Sequence, residues 1–168
     1  MNAINEDAVC DEIVAAFQDV PRPDRCAPED FVAYDEAEDL EYLVGKTWLD
    51  IATDVTYMTR HCEDQFYYMT DECFLYLLPG YLLGTVKYDF ALVEGVVSHL
   101  LIVLSLAGCA DELLPYLSDG LTLSQKRAVA HWLQLQLERE KERHPEVYEC
   151  ADAATAYTVV LERWRQWA

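Results

Sequence analysis

Apolar residues recur at helical spacing along most of this chain, and no segment alternates apolar and polar residues as a half-buried strand does. The clearest period lies near the C-terminus, where one face carries Cys150, Ala153, Ala154, Tyr157, Val160, Leu161, Trp164 and Trp167. A chain of 168 residues has the size of one ordinary domain. The pattern therefore predicts an all-α, single-domain bundle of about six or seven helices over residues 1–168.

Capping residues and helix breakers set the expected boundaries. The expected helices cover residues 6–20, 36–44, 47–59, 70–83, 90–107, 123–143 and 150–167. The capping residues are Asn5, Gly45, Thr70, Asp89 and the capping box Thr122-Leu123-Ser124-Gln125. Within the fourth helix, Pro79 has no N–H to donate, so the helix is expected to kink or end there. Residues 24–44 form an acidic and partly irregular segment.

The segment from Phe90 to Ala107 is the most apolar part of the chain, and its length approaches that of a membrane span. Glu94, Ser98 and Ser105 nevertheless fall on one narrow helical stripe, and no basic residues flank the segment as they would on the cytoplasmic side of a membrane helix. We therefore expect a buried central helix that turns one strip toward solvent or a neighbour.

The chain is strongly acidic, with 31 Asp and Glu against 12 Lys and Arg and a net charge of −19. Residues 1–50 alone hold 14 acidic and 3 basic residues, a net of −11. Such a surface repels nucleic acid and anionic membranes, whereas it attracts a basic protein. The alternative is that the acidic residues only keep the domain soluble and monomeric.

Signatures of catalysis, cofactor binding and metal binding are weak. The six cysteines include no C-x-x-C pair, and the first residues lack the features of a signal peptide, so a reducing cytoplasm is expected. The densest group of potential metal ligands, His61-Cys62-Glu63-Asp64, lacks a third and fourth partner at sensible spacing. No phosphate loop, G-x-S-x-G or H-E-x-x-H motif occurs. We expect a protein that is not an enzyme and that has no cofactor or metal.

Acidic and aromatic residues supply the candidate partner-binding site. Carboxylates alternate with apolar residues from Asp35 to Tyr42, which suits a Lys- and Arg-rich partner, although a solvated helix start would look the same. Tyrosines at positions 57, 67, 68, 76, 81 and 88 suit an interface or a core whose hydroxyl groups are satisfied. The candidate residues are Asp35, Glu36, Glu38, Asp39, Glu41, Tyr42, Glu63, Asp64, Tyr67 and Tyr68.

Three segments form an ordered series along the chain: Gly45-Lys46-Thr47-Trp48-Leu49-Asp50-Ile51, the run from Thr70 that ends in Tyr76-Leu77-Leu78-Pro79-Gly80-Tyr81-Leu82, and Leu121-Thr122-Leu123-Ser124-Gln125-Lys126-Arg127-Ala128-Val129. With them the chain resembles, over roughly residues 5–165, a family of uncharacterised bacterial proteins with K-x-W-x-[DE]-[IV], F-x-Y-Y-L-P-x-Y-L and L-T-x-x-Q-x-x-A-V elements. It departs from the middle element at Leu77, where a second Tyr is expected, and at Gly80, where Ala is expected. The resemblance implies a small helical bacterial protein, of a kind that includes immunity proteins of toxin systems.

The functional hypothesis that follows is an inhibitor of the immunity type. It would neutralise a basic partner such as a bacterial toxin, for example a nuclease, as a monomer or homodimer without binding nucleic acid or membrane. One alternative is a DNA mimic that competes for a DNA-binding protein. Another is a structural subunit or homodimer in contact through Trp164 and Trp167.

Overall fold

The computed structural model describes residues 5–28, 40–60, 65–106, 117, 119–148 and 156–168. Within these ranges the secondary structure is helical, without a strand, which confirms the all-α prediction. Eight α-helices have both ends given by these ranges: α1 (Glu6–Phe17), α2 (Trp48–Thr53), α3 (Val55–Arg60), α4 (Asp71–Lys87), α5 (Phe90–Leu106), α6 (Leu123–Arg143), α7 (Pro145–Tyr148) and α8 (Ala156–Trp167). A short 3-10 helix, Gln65–Tyr67, precedes α4.

The chain forms two compact units. The terminal unit consists of Met1–Ala16 and Leu104–Ala168, and the middle unit consists of Phe17–Val103. In the middle unit α2 packs against α4, and in the terminal unit α6 packs against α8.

Local capping explains where α1 begins and ends. The Asn5 side-chain oxygen accepts a hydrogen bond from the Asp7 N–H at 2.9 Å, as the sequence predicts. The helix ends at Phe17 and not at Val20, because residues 18 and 19 form a turn that the Val20 N–H closes onto the Phe17 carbonyl at 3.2 Å. Val9, Ile13 and Phe17 make up the buried face of the helix.

The single helix expected over residues 47–59 is two helices. It begins as expected, since Thr47 and Asp50 form a capping box. Asp54 then ends α2 by donating its N–H to the Ile51 carbonyl at 3.2 Å. Its side chain starts α3 by accepting the Tyr57 N–H at 3.0 Å. The prediction missed this break because the apolar residues keep their helical spacing across it.

Residues 40–43 are helical, as expected for the second half of the predicted segment 36–44; its first half lies outside the described residues. Gly45 follows with a φ of 86°, in the left-handed region that favours glycine, which confirms its predicted capping role.

Helix α4 does not end at Pro79, and it continues to Lys87. Thr70 caps it by accepting the Cys73 N–H at 3.2 Å, as predicted. A proline removes one helical hydrogen bond, but most of this helix is buried from Cys73 onward, and that packing outweighs the loss. The neighbouring Gly80 lies against α2, where a Cβ atom would be only 2.4 Å from the Trp48 carbonyl oxygen. This contact explains why glycine stands where the resemblance suggests alanine.

Helix α5 has the buried apolar surface that the sequence predicts, with a strip of exposed residues. Glu94 and Ser98 lie on that exposed strip with the exposed apolar side chain of Ile102, and Leu92 is exposed on another face of the helix. The Asp89 side chain accepts the Ala91 N–H at 2.9 Å at the start of the helix. Among the described residues, no helix combines the length and apolar character needed to cross a membrane.

In the terminal unit, Thr122 and Gln125 form the predicted capping box of α6, and Val129, Trp132, Leu133 and Leu137 are buried on its inner face. The charged end of this helix reaches α1, because the Arg139 guanidinium pairs with Glu6 at 2.6 Å.

Trp164 does not supply the dimer contact that the sequence suggests. Its side chain is fully buried, and its indole N–H donates to the Leu104 carbonyl at 3.2 Å. The Trp167 ring packs edge-on against it, with ring centroids 5.3 Å apart, and is partly exposed.

Candidate partner-binding site

The structure describes part of the predicted site. Glu41, Tyr42 and Tyr68 are described in full, whereas only the backbone of Tyr67 is described. The remaining candidates lie outside the described residues: Asp35, Glu36, Glu38, Asp39, Glu63 and Asp64. Glu41 is exposed and Tyr68 is half-buried. Tyr42 and the helices that follow it therefore make up most of the described part of the candidate site.

Tyr42 is held in place on three sides. Its ring stacks on the Tyr57 ring at a centroid distance of 5.1 Å, and the Lys46 ammonium lies 4.5 Å from its centroid. Its hydroxyl group donates a hydrogen bond to the Asp54 carboxylate. The side chain remains 37% exposed, so an aromatic edge with a fixed orientation faces solvent.

The tyrosines behind Tyr42 form a core with satisfied hydroxyl groups, which is one of the two readings that the sequence leaves open. Tyr57 and Tyr81 are buried, with their hydroxyl oxygens 2.9 Å apart. The Tyr57 hydroxyl also donates to the side-chain oxygen of buried Gln65. Tyr76 is buried as well, while Tyr88 is half-buried. Tyr57, backed by Tyr81, therefore supports the Tyr42 ring from the interior.

Two carboxylates of the segment that follows Tyr42, Asp50 and Asp54, are stabilised in their ionised form. The Thr47 backbone N–H, followed by its hydroxyl group, lowers the pKa of Asp50. The hydrogen bond from the Tyr42 hydroxyl, followed by the Tyr57 N–H, lowers the pKa of Asp54. The same contact raises the pKa of Tyr42, because the phenolate would face a carboxylate. Both acids thus remain anionic below the usual range for aspartate.

Exposed apolar side chains are concentrated on this part of the chain. Of the nine large apolar side chains that are exposed among the described residues, four lie between positions 42 and 55: Tyr42, Val44, Leu49 and Val55. Leu49 is 49% exposed in the first turn of α2, next to Asp50. We call these four residues, with Glu41, Asp50 and Asp54, the 41–55 surface. Apolar groups among ionised carboxylates are a combination that a cationic protein surface can bind.

A second feature, which the sequence did not reveal, is a basic cleft in the same unit. The cleft encloses about 320 Å³, and Arg22, Arg25, Lys46 and Cys26 are among its lining residues. The Cys26 carbonyl accepts the Thr70 N–H at 2.8 Å, which fixes Cys26 beside the first turn of α4. There its thiol is in hydrogen-bonding contact with Cys73.

The two thiols differ in their acidity. The hydrogen bond from Cys73, assisted by the Arg22 charge, lowers the pKa of Cys26 despite partial burial. The same hydrogen bond and burial raise the pKa of Cys73. No C-x-x-C motif or short spacing predicts this pair, because the two cysteines are far apart in sequence. The sequence feature that could have indicated the cleft is the presence of Arg22 and Arg25 close together in an acidic region.

Among the described residues, no group of three or more His, Cys, Asp or Glu side chains could hold a metal ion. The sequence His61-Cys62-Glu63-Asp64 lies outside those residues. Comparison of the chain with protein-family models, with curated proteins and with solved structures gave no match.

Proposed function

We propose that this chain is a non-catalytic binding protein that neutralises a basic protein partner through an acidic surface, in the manner of an immunity protein. The 41–55 surface is the observation that carries the proposal: four of the nine exposed large apolar side chains among the described residues fall between positions 42 and 55, a stretch that also carries Asp50 and Asp54, whose pKa values are lowered. Exposed apolar side chains grouped in this way are typical of protein-binding sites.

Charge and apolar area would contribute differently to such a complex. A net charge of −19 accelerates the approach of a basic partner and makes association sensitive to salt. Burial of Leu49 and Tyr42 would then slow dissociation, because apolar and aromatic anchors dominate binding energy. Tyr42 already has its ring and hydroxyl group fixed, so little conformational entropy would be lost on binding.

The partner that fits this chemistry presents Lys and Arg around an apolar centre. A toxin with a cationic nucleic-acid groove has that character, and an acidic protein seated on the groove would exclude the substrate. The proposal places the protein in the cytoplasm, where its cysteines stay reduced and where such a toxin would otherwise act.

The test is capture from a lysate of the source cells by the tagged protein and two matched variants, Leu49→Ser and Leu123→Ser. Both leucines lie in the first turn of a helix that begins with a threonine capping box, and they are 49% and 57% exposed. Leu49 belongs to the 41–55 surface, while Leu123 lies in the terminal unit. The substitutions therefore remove similar apolar area at similar cost to the helix.

We expect the wild type and the Leu123→Ser variant to retain the same basic protein, which a rising salt gradient releases. The Leu49→Ser variant should lose it. Retention of that protein by all three forms, or loss from both variants equally, would place the contact elsewhere. A captured partner that is itself acidic would contradict the charge argument.

A further inference from the structure

The basic cleft concentrates positive charge in the middle unit. Residues 17–103 contain five Lys and Arg, and three of them, Arg22, Arg25 and Lys46, line this one cleft. Asp24 also lines it, and the charges of Arg22 and Lys46 reach Asp50 as well. Three cations thus outnumber one carboxylate among the lining residues of the cleft, and its volume of about 320 Å³ can admit a small molecule.

A pair of thiols forms part of this cleft. Cys26 lies in its wall and is partly exposed, whereas Cys73 lies behind it and is fully buried. Thr70 holds the pair together through three hydrogen bonds. It donates its N–H to the Cys26 carbonyl at 2.8 Å and its hydroxyl group to the Arg25 carbonyl at 3.3 Å, and its hydroxyl oxygen accepts the Cys73 N–H at 3.2 Å.

We propose that Cys26 is a thiol–disulfide exchange site for small anionic disulfides and that Cys73 resolves the mixed disulfide it forms. The accessible member of the pair faces the cleft from which a reagent would enter. Thr70 is hydrogen-bonded to both residues, which holds the buried Cys73 beside the cysteine that it would attack. This inference is independent of the proposed partner-binding role.

The exchange is balanced in atoms and charge. The Cys26 thiolate attacks one sulfur of a disulfide RS–SR, forms a Cys26–SR bond and releases RS⁻. The Cys73 thiol then gives its proton to that RS⁻ and attacks the Cys26 sulfur, which releases the second RS⁻. The products are a Cys26–Cys73 disulfide, one RSH and one RS⁻, so the two cysteines are oxidised and the reagent is reduced.

The side chains of the cleft determine which cysteine attacks the disulfide first and which kind of disulfide reacts faster. Cys26 has the lowered pKa and partial exposure that a nucleophilic thiolate needs, while Cys73 stays protonated until a mixed disulfide forms. Arg22 lies close enough to influence the Cys26 charge, so it can also attract a carboxylate on the reagent.

The test uses the full reduced chain with two disulfides of similar size, the dianion 3,3′-dithiodipropionate and the neutral 2-hydroxyethyl disulfide. Reactions are quenched with acid and mapped by mass spectrometry of the digested protein, which follows all six cysteines separately. The wild type should give a Cys26–Cys73 disulfide, and the Cys73→Ala variant should stop at a mixed disulfide on Cys26.

Arg22→Gln tests the charge selectivity without touching either thiol. It should lower the ratio of the dianion rate to the neutral rate at Cys26 by about three- to tenfold, since one charge near the reagent is lost. Arg127→Gln is the matched control, because this exposed arginine lies in the terminal unit, and the ratio should not change.

The proposal would be overturned if Cys26 were modified no faster than Cys10, another partly exposed cysteine. It would also be overturned if the wild type accumulated the mixed disulfide as the Cys73→Ala variant does. An unchanged rate ratio in Arg22→Gln would remove the preference for anions. This last measurement does not depend on whether a variant at buried Cys73 folds.

Discussion

Substitution of Gly80 by alanine should destabilise the protein, although alanine is the better helix former. A Cβ atom at this position would lie 2.4 Å from the Trp48 carbonyl oxygen and 3.1 Å from the Ile51 Cβ. Real Cβ atoms essentially never come closer than 3.0 Å to such neighbours, so α4 and α2 would have to separate. The atom in the way is backbone, so no side-chain rotation relieves the overlap.

The size of the effect follows from two opposed contributions. Alanine in place of glycine favours a helix by about 1 kcal/mol. Overpacking of a tight core costs about 1–3 kcal/mol, and a backbone clash belongs at the upper end of that range. The net loss of unfolding free energy should therefore be about 2 kcal/mol, which lowers the Tm of a chain of this size by roughly 4–8 °C.

Gly84→Ala is the matched control, since Gly84 is also buried and lies one turn later in α4. Its Cβ would meet the end of the Met58 side chain, at 2.7 Å from Cε, and that flexible group can move aside. The helix gain and the repacking cost should then offset each other to within about 1 kcal/mol.

Urea denaturation of both variants, followed by far-ultraviolet circular dichroism, measures the difference. We expect a lower urea midpoint of unfolding for Gly80→Ala than for Gly84→Ala, with the same dependence of the unfolding free energy on urea concentration in both variants. A Gly80→Ala protein as stable as the wild type would refute the close approach of α4 to α2.

Four smaller predictions concern caps and titratable groups. Asp54→Ala should lower the unfolding free energy by about 1–2 kcal/mol in urea denaturation, whereas Asp54→Asn, which can still cap α3, should lose less. Folding lowers the pKa of Asp54, so its carboxylate contributes fully to the unfolding free energy above the unfolded pKa of about 4 and loses that contribution as pH falls through the folded pKa. In Asp54→Asn the unfolding free energy should therefore fall less steeply as pH is lowered. Thr122→Ala removes the capping box of α6 and should cost about 1 kcal/mol by thermal denaturation. Iodoacetamide should alkylate Cys26 with an apparent pKa below the ordinary thiol value, and Arg22→Gln should raise that pKa.

Helix starts were predictable from the sequence because their causes are local. Thr47, Thr70 and Thr122 each cap a helix through a hydrogen bond to a residue three positions later, and a pattern of that length can be read directly. The glycine cap at Gly45 has a similarly local cause.

Features that depend on packing could not be predicted in this way. The apolar period gives no sign that Asp54 ends one helix and starts another. Pro79 was expected to kink or end its helix, and continuation through Pro79 depends on burial of the surrounding turns. The contact of Cys26 with Cys73 likewise arises only in the folded chain.

The candidate site was predicted in part. Tyr42 and Glu41 lie on the surface as expected, but Leu49 and Val55 were not among the predicted site residues. Val55 is exposed because the break at Asp54 makes it the first residue of α3. Leu49 combines exposure with a position beside an ionised carboxylate, which only the structure shows.

The most direct test of the binding proposal is calorimetric titration of the purified partner with the wild type, Leu49→Ser and Leu123→Ser over a series of salt concentrations. The account predicts that affinity falls steadily as salt rises. It also predicts that Leu49→Ser weakens binding by roughly tenfold or more at every salt concentration, as loss of an interface anchor does, while Leu123→Ser binds like the wild type. Affinity that is indifferent to salt, or equal affinities for the two variants, would contradict it.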